Sequence, residues 1–149
     1  MDINSYLNNL KDQLFRKNNL QSVVISREWA SQIPAEAGVY ILMQNGIIVY
    51  VGETGNLRER MNDLLDSRHH TVRRTIGERY FSTEEGFIQA TTKIKFPDHI
   101  EVMVNNHICT NLLLGYLVVP LGRKELEELV ESEMILDTRL NKRGKRKAK

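Results

Sequence analysis

The sequence predicts a small α/β domain of the α+β kind, in which a three-stranded antiparallel sheet is flanked by helices. Three observations carry this expectation. Two runs rich in β-formers, Val39 to Met43 and Ile47 to Val51, are joined across Asn45-Gly46, a dipeptide that accepts the positive φ angles of a tight hairpin turn. A third apolar run, Asn111 to Val119, reads as a buried strand. Around these runs apolar residues recur at three- and four-residue steps, the period of a helix with one buried face.

Taken in order, Ile3, Tyr6, Leu7, Leu10, Leu14 and Phe15 share one face of a helix, which reads as a docking element and not a catalytic one. A short extended piece, Ser22 to Ile25, follows, and Ser26 is placed to cap a helix through Ile33. Pro34, Glu36 and Gly38 break that pattern before the hairpin, expected over residues 38–53. Asn56 then caps a helix with Leu57, Met61, Leu64 and Leu65 on one side. Residues 68–79 form a second short helix ending before Tyr80-Phe81, and Pro97 opens another through His107. Beyond the third strand, Gly122 precedes a helix from Lys124 to Asp137, with Leu126, Leu129, Val130 and Met134 facing inward.

At 149 residues the chain has room for one domain with extensions. Hydrophobic residues make up 41% and charged residues 27%, a globular balance that sets aside disorder, collagen and repeat arrays. No apolar stretch approaches the roughly 20 residues of a membrane span, and the start lacks the pattern of a signal peptide, so a cytoplasmic protein is expected. The single thiol, Cys109, excludes an internal disulfide, and its apolar neighbours suggest a buried position. Charge is unevenly spread: residues 142–149 hold six Lys and Arg and no acid, which leaves 15 basic against 19 acidic residues in the body. Such a tail attracts phosphate backbones without reading sequence and is expected to be disordered; a solubilising terminus is the plainer alternative.

Gly38-Val39-Tyr40 is followed, ten residues from Tyr40, by Tyr50-Val51-Gly52, and Arg60 comes ten residues after Tyr50 in the stretch Gly52-Glu53-Thr54-Gly55-Asn56-Leu57-Arg58-Glu59-Arg60. This arrangement resembles the GIY-YIG nuclease superfamily, which includes the amino-terminal nuclease domain of bacterial excision-repair enzymes, several homing endonucleases and some restriction enzymes. In the family a metal-binding Glu precedes a Leu-Ile-like pair by three and four residues; here Glu131 stands so to Met134 and Ile135. An Asn closes the family's domain, usually after a Pro, and Asn141 matches it without a Pro and at a shorter distance. The family's frequent His or Tyr four residues after the Arg is replaced by Leu64, so that role is vacant or passes to His69, His70 or Tyr80. The resemblance covers roughly residues 38–141 and divides the chain into an amino-terminal helical extension (1–35), a nuclease-like domain (36–141) and the basic tail (142–149).

What the resemblance implies is a metal-dependent DNA endonuclease with catalytic Tyr40, Tyr50, Arg60 and Glu131, supported by His69, His70 and Asn141. Phosphodiester hydrolysis needs an activated water, neutralisation of charge growing on the phosphate, and stabilisation of the leaving oxygen; a hard metal ion and an Arg supply the last two. Glu131 offers an oxygen ligand to one Mg²⁺ or Mn²⁺ ion, which takes only one or two protein carboxylates. Arg60 holds the scissile phosphate with its fork of donors. One phenol, Tyr40 in the first instance, orients or deprotonates water, which for a group of pKa near 10 requires a cationic or metallic neighbour.

Plainer readings stand beside these. Hairpin tyrosines are usually packing residues, and Arg60 has Glu59 and Asp63 at hand for surface pairs. Glu131 is one of five Glu between 125 and 133, and Glu133, nearer the apolar arc, is runner-up as metal ligand. Adjacent side chains on a helix diverge by about 100°, so at most one of His69 and His70 faces the site. Gly52 and Gly55 lack the Lys-Ser/Thr of a phosphate loop; tight backbone packing at a strand end explains them better. DNA contacts are expected from Arg58, Arg73 and Arg74 and from Lys142, Arg143, Lys145 and Arg146, on duplex or branched DNA. Two rivals remain: a DNA-binding module of the same fold that does not cleave, and an interaction protein whose amino-terminal helix docks on a partner.

Overall fold

A computed structural model describes residues 2–135 and 139–140. Helix α1 spans Ile3–Leu14, capped by Asp2, whose carboxylate accepts the Ser5 N–H. After a 3₁₀ turn, strand β1 is only Gln21–Ser22, and α2 is one short turn, Arg27–Ala30, capped by Ser26. Strands β2 (Gly38–Gln44) and β3 (Ile47–Thr54) form the expected hairpin. Asn45 and Gly46 take φ of 54° and 76°, the paired positive values that match the twist of two adjoining strands.

Helix α3 (Leu57–Asp63) starts at Asn56, whose side chain accepts the Glu59 N–H. Helix α4 is Thr71–Phe81, α5 Asp98–Asn111, β4 Leu113–Val118 and α6 Arg123–Ser132. Several boundaries differ from the periodicity: α2 stops at Ala30 and not Ile33, and α5 runs past His107 to Asn111, so that β4 starts only at Leu113. Helix α4 begins later and runs through Tyr80-Phe81, because the His70 side chain closes its first turn. Helix α6 ends at Ser132, well short of Asp137, with Glu133 as its C-cap.

The sheet has four strands in the order β1-β4-β2-β3, all neighbours antiparallel. The fourth member escaped the sequence because two residues carry no alternation to read; Gln21 and Ser22 join by pairing with Leu114 and Leu113. Each face of the sheet carries its own core. Val39, Ile41 and Val51 pack with Leu7 and Leu14 of α1 and Leu126 and Val130 of α6. Tyr40, Leu42 and Tyr50 face the opposite way, toward α3, α4 and α5 through Leu57, Met61, Val72, Ile76, Ile100 and Val104. A register shift after Leu42 leaves Val49 outside the pairing, so Val49 and Tyr50 both enter this second core.

The amino-terminal helix therefore docks on its own sheet. Its apolar stripe is occupied by α6 and β4, and Tyr6 Oη donates to the Leu121 carbonyl at 2.8 Å. Cys109, expected inside, lies on the exposed side of α5; its neighbour Ile108 takes the buried position. Among the described residues no helix is long and apolar enough to cross a membrane.

Candidate active site

The site is assembled on the α3–α5 face of the hairpin. Tyr40 pairs with Gly52 and Leu42 with Tyr50, and paired residues share a face, so both tyrosines project to the same side with ring centroids 5.7 Å apart. Gly52 is what lets Tyr40 lie across β3: a Cβ there would meet the Tyr40 ring at 2.6 Å and its hydroxyl at 2.7 Å. Gly55 has no such constraint, since the nearest atom to its would-be Cβ is 4.0 Å away.

Two nitrogens converge on the Tyr40 hydroxyl. Arg60, near the end of α3, donates from Nε at 3.2 Å, and His70 Nε2 lies at 2.9 Å. The Tyr50 ring stands 5.3 Å from the His70 ring, closing the cluster. Tyr40 and His70 are wholly buried and Tyr50 nearly so. Burial pushes the Tyr40 phenol well above its ordinary range, Tyr50 adds to the rise, and Arg60 pulls the other way; at neutral pH it is a neutral phenol. Arg60 Nη1 also donates to Asp63 Oδ2 and to the His69 carbonyl, both at 3.1 Å, which fixes the plane of the guanidinium.

The other expected residues divide. His69 is exposed, with its ring 3.9 Å from Asp66, and only its carbonyl, not its side chain, touches the cluster. Leu64 is fully buried in the core, so the contact to Tyr40 comes from the start of α4 and not from the turn after Arg60. Arg74 is half-buried and donates to the carbonyls of Ser67 and Arg68 at 2.9 Å; burial and then the Arg60 charge lower its pKa. Arg58 lies on the surface with Nε tied to the Ile33 carbonyl at 2.8 Å. Arg73 is the clear correction to the expected DNA contacts. It is 1% exposed and sealed inside, donating to Glu101 at 2.5 Å, to Ser67 at 2.9 Å and to the Leu64 carbonyl. Asn141, Lys142, Arg143, Lys145 and Arg146 lie outside the described residues.

On α6, Glu131 forms an ion pair with Arg139, whose carbonyl accepts from Arg79. Next to Arg139, the Leu140 N–H donates to the Val49 carbonyl, so this segment runs along the open edge of β3. Glu133 turns toward α1 and pairs with Lys11 at 2.9 Å. The residue that the sequence did not single out is Glu127, one turn before Glu131 and on the same side of α6. It is 5% exposed, and its Oε2 accepts the Glu53 N–H at 3.1 Å, beside Gly52. The Tyr40 hydroxyl overlies Gly52 and the Glu127 carboxylate accepts the N–H of the next residue, so the two groups meet β3 at adjacent positions. The signal for Glu127 was its place between Leu126 and Val130, a carboxylate at the margin of a buried stripe. Oxygen donors one turn apart at a strand edge suit a hard divalent cation.

The hairpin thus holds a guanidinium and an imidazole against one buried phenol. Residues 22–148 match the family model described as the GIY-YIG catalytic domain, and the chain belongs to that family. Among curated proteins it is similar to UvrABC system protein C of Haloquadratum walsbyi (strain DSM 16790 / HBSQ001), with 36% identity over 50 residues. That stretch is 34% of this chain, and it spans only 8% of the relative's length. Among solved structures it is similar to a point mutant of the GIY-YIG N-terminal endonuclease domain of UvrC from Thermotoga maritima, bound to its catalytic divalent cation, with TM-score 0.44 and 18% identity over 78% of this chain and 94% of that one. A second mutant of the same domain gives TM-score 0.42 and 15% identity over the same shares.

Proposed function

We propose that this chain is a divalent-metal-dependent DNA endonuclease whose site is formed by Tyr40, Tyr50, Arg60 and the acidic face of α6. The observation that carries this reading is the convergence of Arg60 Nε and His70 Nε2 on one buried hydroxyl, with the second tyrosine ring packed against both. A merely structural tyrosine needs one partner; this one is held by two nitrogens in a family of catalytic domains.

In this reading Glu131 holds the cation, Mg²⁺ or Mn²⁺, with Glu127 as the neighbouring carboxylate. The bound ion supplies charge neutralisation at the phosphate and at the leaving oxygen. Arg60 grips the scissile phosphate through the guanidinium nitrogens beyond its Nε contact, and Arg74 adds a second positive charge for the strand. Tyr40 handles the proton of the attacking water; its buried, raised phenol does so only when positive charge on the substrate side favours the phenolate. Arg58 and the basic tail supply sequence-independent grip on duplex or branched DNA. The likeness to UvrABC system protein C supports a task of the DNA-repair kind. Leu64 in place of a His or Tyr supports a module that does not cleave; His70 at the Tyr40 hydroxyl supports the enzyme.

The test is nicking of supercoiled plasmid by the purified chain with Mg²⁺ or Mn²⁺, alongside Mn²⁺ binding by calorimetry. Arg60→Ala and Glu131→Gln are expected to lower nicking by about 10²-fold or more with little change in melting temperature, while Glu133→Gln, remote on the α1 side, is neutral. If Glu131→Gln cleaves and binds Mn²⁺ as the wild type does while Glu127→Gln loses both, the metal site belongs to Glu127. A wild-type chain that binds DNA without nicking it in either metal overturns the enzyme reading in favour of the binding module.

A further inference from the structure

His70 occupies an unusual post. Helix N-caps are ordinarily Ser, Thr, Asp or Asn, whose short side chains accept a first-turn N–H. Here the imidazole does that work: the Val72 N–H donates to His70 Nδ1 at 3.1 Å. A ring nitrogen that accepts carries no hydrogen, and a neutral imidazole has only one to place, so it sits on Nε2. The alternative tautomer, and equally the doubly protonated ring, would set an Nδ1–H against the Val72 N–H, donor against donor.

Nε2 is the atom that faces Tyr40 Oη at 2.9 Å. With its hydrogen fixed there, His70 is the donor and the tyrosine oxygen the acceptor. Arg60 Nε, which can only donate, uses the same oxygen at 3.2 Å. Both acceptor positions of Oη are then filled, and the phenolic hydrogen must leave in a third direction; the remaining ring of the cluster is Tyr50, 5.7 Å away between centroids.

We propose that His70 is a positioning residue that, by capping α4, is locked as an Nε2–H donor and aims the Tyr40 O–H away from itself toward Tyr50. The imidazole is thus no base for Tyr40. It exchanges no proton with the phenol and instead stabilises the oxygen as negative charge grows there. Coupling the site to a helix cap also explains how a chain with Leu at the fourth position after Arg60 still presents an imidazole to this tyrosine: the ring comes from a different element, fixed by that element's own start. This inference rests on the reading of Tyr40 as the proton-handling group.

Nitrogen NMR of ¹⁵N-histidine-labelled protein between pH 6 and 8 is expected to show His70 as a single neutral tautomer with hydrogen on Nε2; hydrogen on Nδ1 would overturn the proposal. Two variants separate the cap from the positioning. Asn caps a helix well but is too short to reach Tyr40, so His70→Asn is expected to melt like the wild type, to nick DNA about 10²-fold more slowly, and to shift the ionisation of ¹³Cζ-labelled Tyr40 to higher pH through loss of a donor to the phenolate. His70→Ala loses the cap as well and is expected to melt lower. Unmoved Tyr40 ionisation in His70→Asn, or nicking at the wild-type rate, sinks the idea. Because both spectroscopic readouts need no cleavage, a wild-type chain without nuclease activity counts against the nuclease reading alone.

Discussion

At the scale of single residues, Gly52 and Tyr40 depend on each other. The tyrosine ring crosses β3 at the one position where a side chain would block it, 2.6 Å from the absent Cβ. Replacing Gly52 with Ala is expected to displace the ring, cost about 1–3 kcal/mol as overpacking does elsewhere, and break the hydrogen bonds from Arg60 and His70. Denaturant melts together with plasmid nicking check this: lowered stability with full activity would mean that Tyr40 need not sit where it does. Both tyrosines and the strand-end glycine were legible in the sequence, since hairpin pairing brings Tyr40 and Tyr50 to one face whatever lies beyond. Which of the two histidines joins them was not legible. His69 and His70 are equal in composition, and only the capping geometry of α4 turns one inward.

At the scale of elements, α4 shows why a charge-rich window misleads. Arg73 and Arg74 are adjacent, yet one is buried against Glu101 of α5 and the other is half-buried against the Ser67 and Arg68 carbonyls. A sequence window counts both as phosphate ligands; the partner that removes Arg73 is 28 residues away. Arg73→Leu is expected to leave Glu101 uncompensated and to destabilise by about 3–5 kcal/mol, the usual cost of breaking a buried pair. The affinity of the remaining folded protein for DNA should not change, and a binding isotherm corrected for the unfolded fraction checks it. Weaker binding per folded molecule would return Arg73 to the DNA surface. Helix α6 carries the complementary lesson. Its acidic run offered five glutamates, and the fold sends Glu133 to α1, Glu131 to Arg139 and Glu127 to the β3 edge.

At the scale of the whole molecule, the sheet separates two cores. The α1–α6 core is apolar packing with the α6 carboxylate Glu127 at its margin, against the Glu53 N–H; the α3–α5 core holds the tyrosines and His70. The stripe that marked α1 as a docking helix is consumed in the first core, which leaves its polar side for any partner. The body carries fewer basic than acidic residues, so in the proposed function long-range attraction to DNA falls to residues 142–149 with their six Lys and Arg. Removing them is expected to weaken DNA binding and flatten its dependence on salt, the logarithmic slope falling by about 0.9 for each phosphate no longer neutralised. An unchanged slope would reject the tail as a DNA arm.

The sequence by itself determined the hairpin, its turn, the helix caps at Ser26 and Asn56, and the family to which Tyr40, Tyr50 and Arg60 belong. These are local matters of period, turn chemistry and spacing, settled by residues close to one another along the chain. Only the tertiary structure decided the fourth strand, the burial of Arg73, the exposure of Cys109 and the choice of His70 over His69. It alone also set Glu127 against the Glu53 N–H, next to Gly52. Each of those outcomes depends on which distant groups meet across a packed core, and the pattern of a single segment carries no record of its partner.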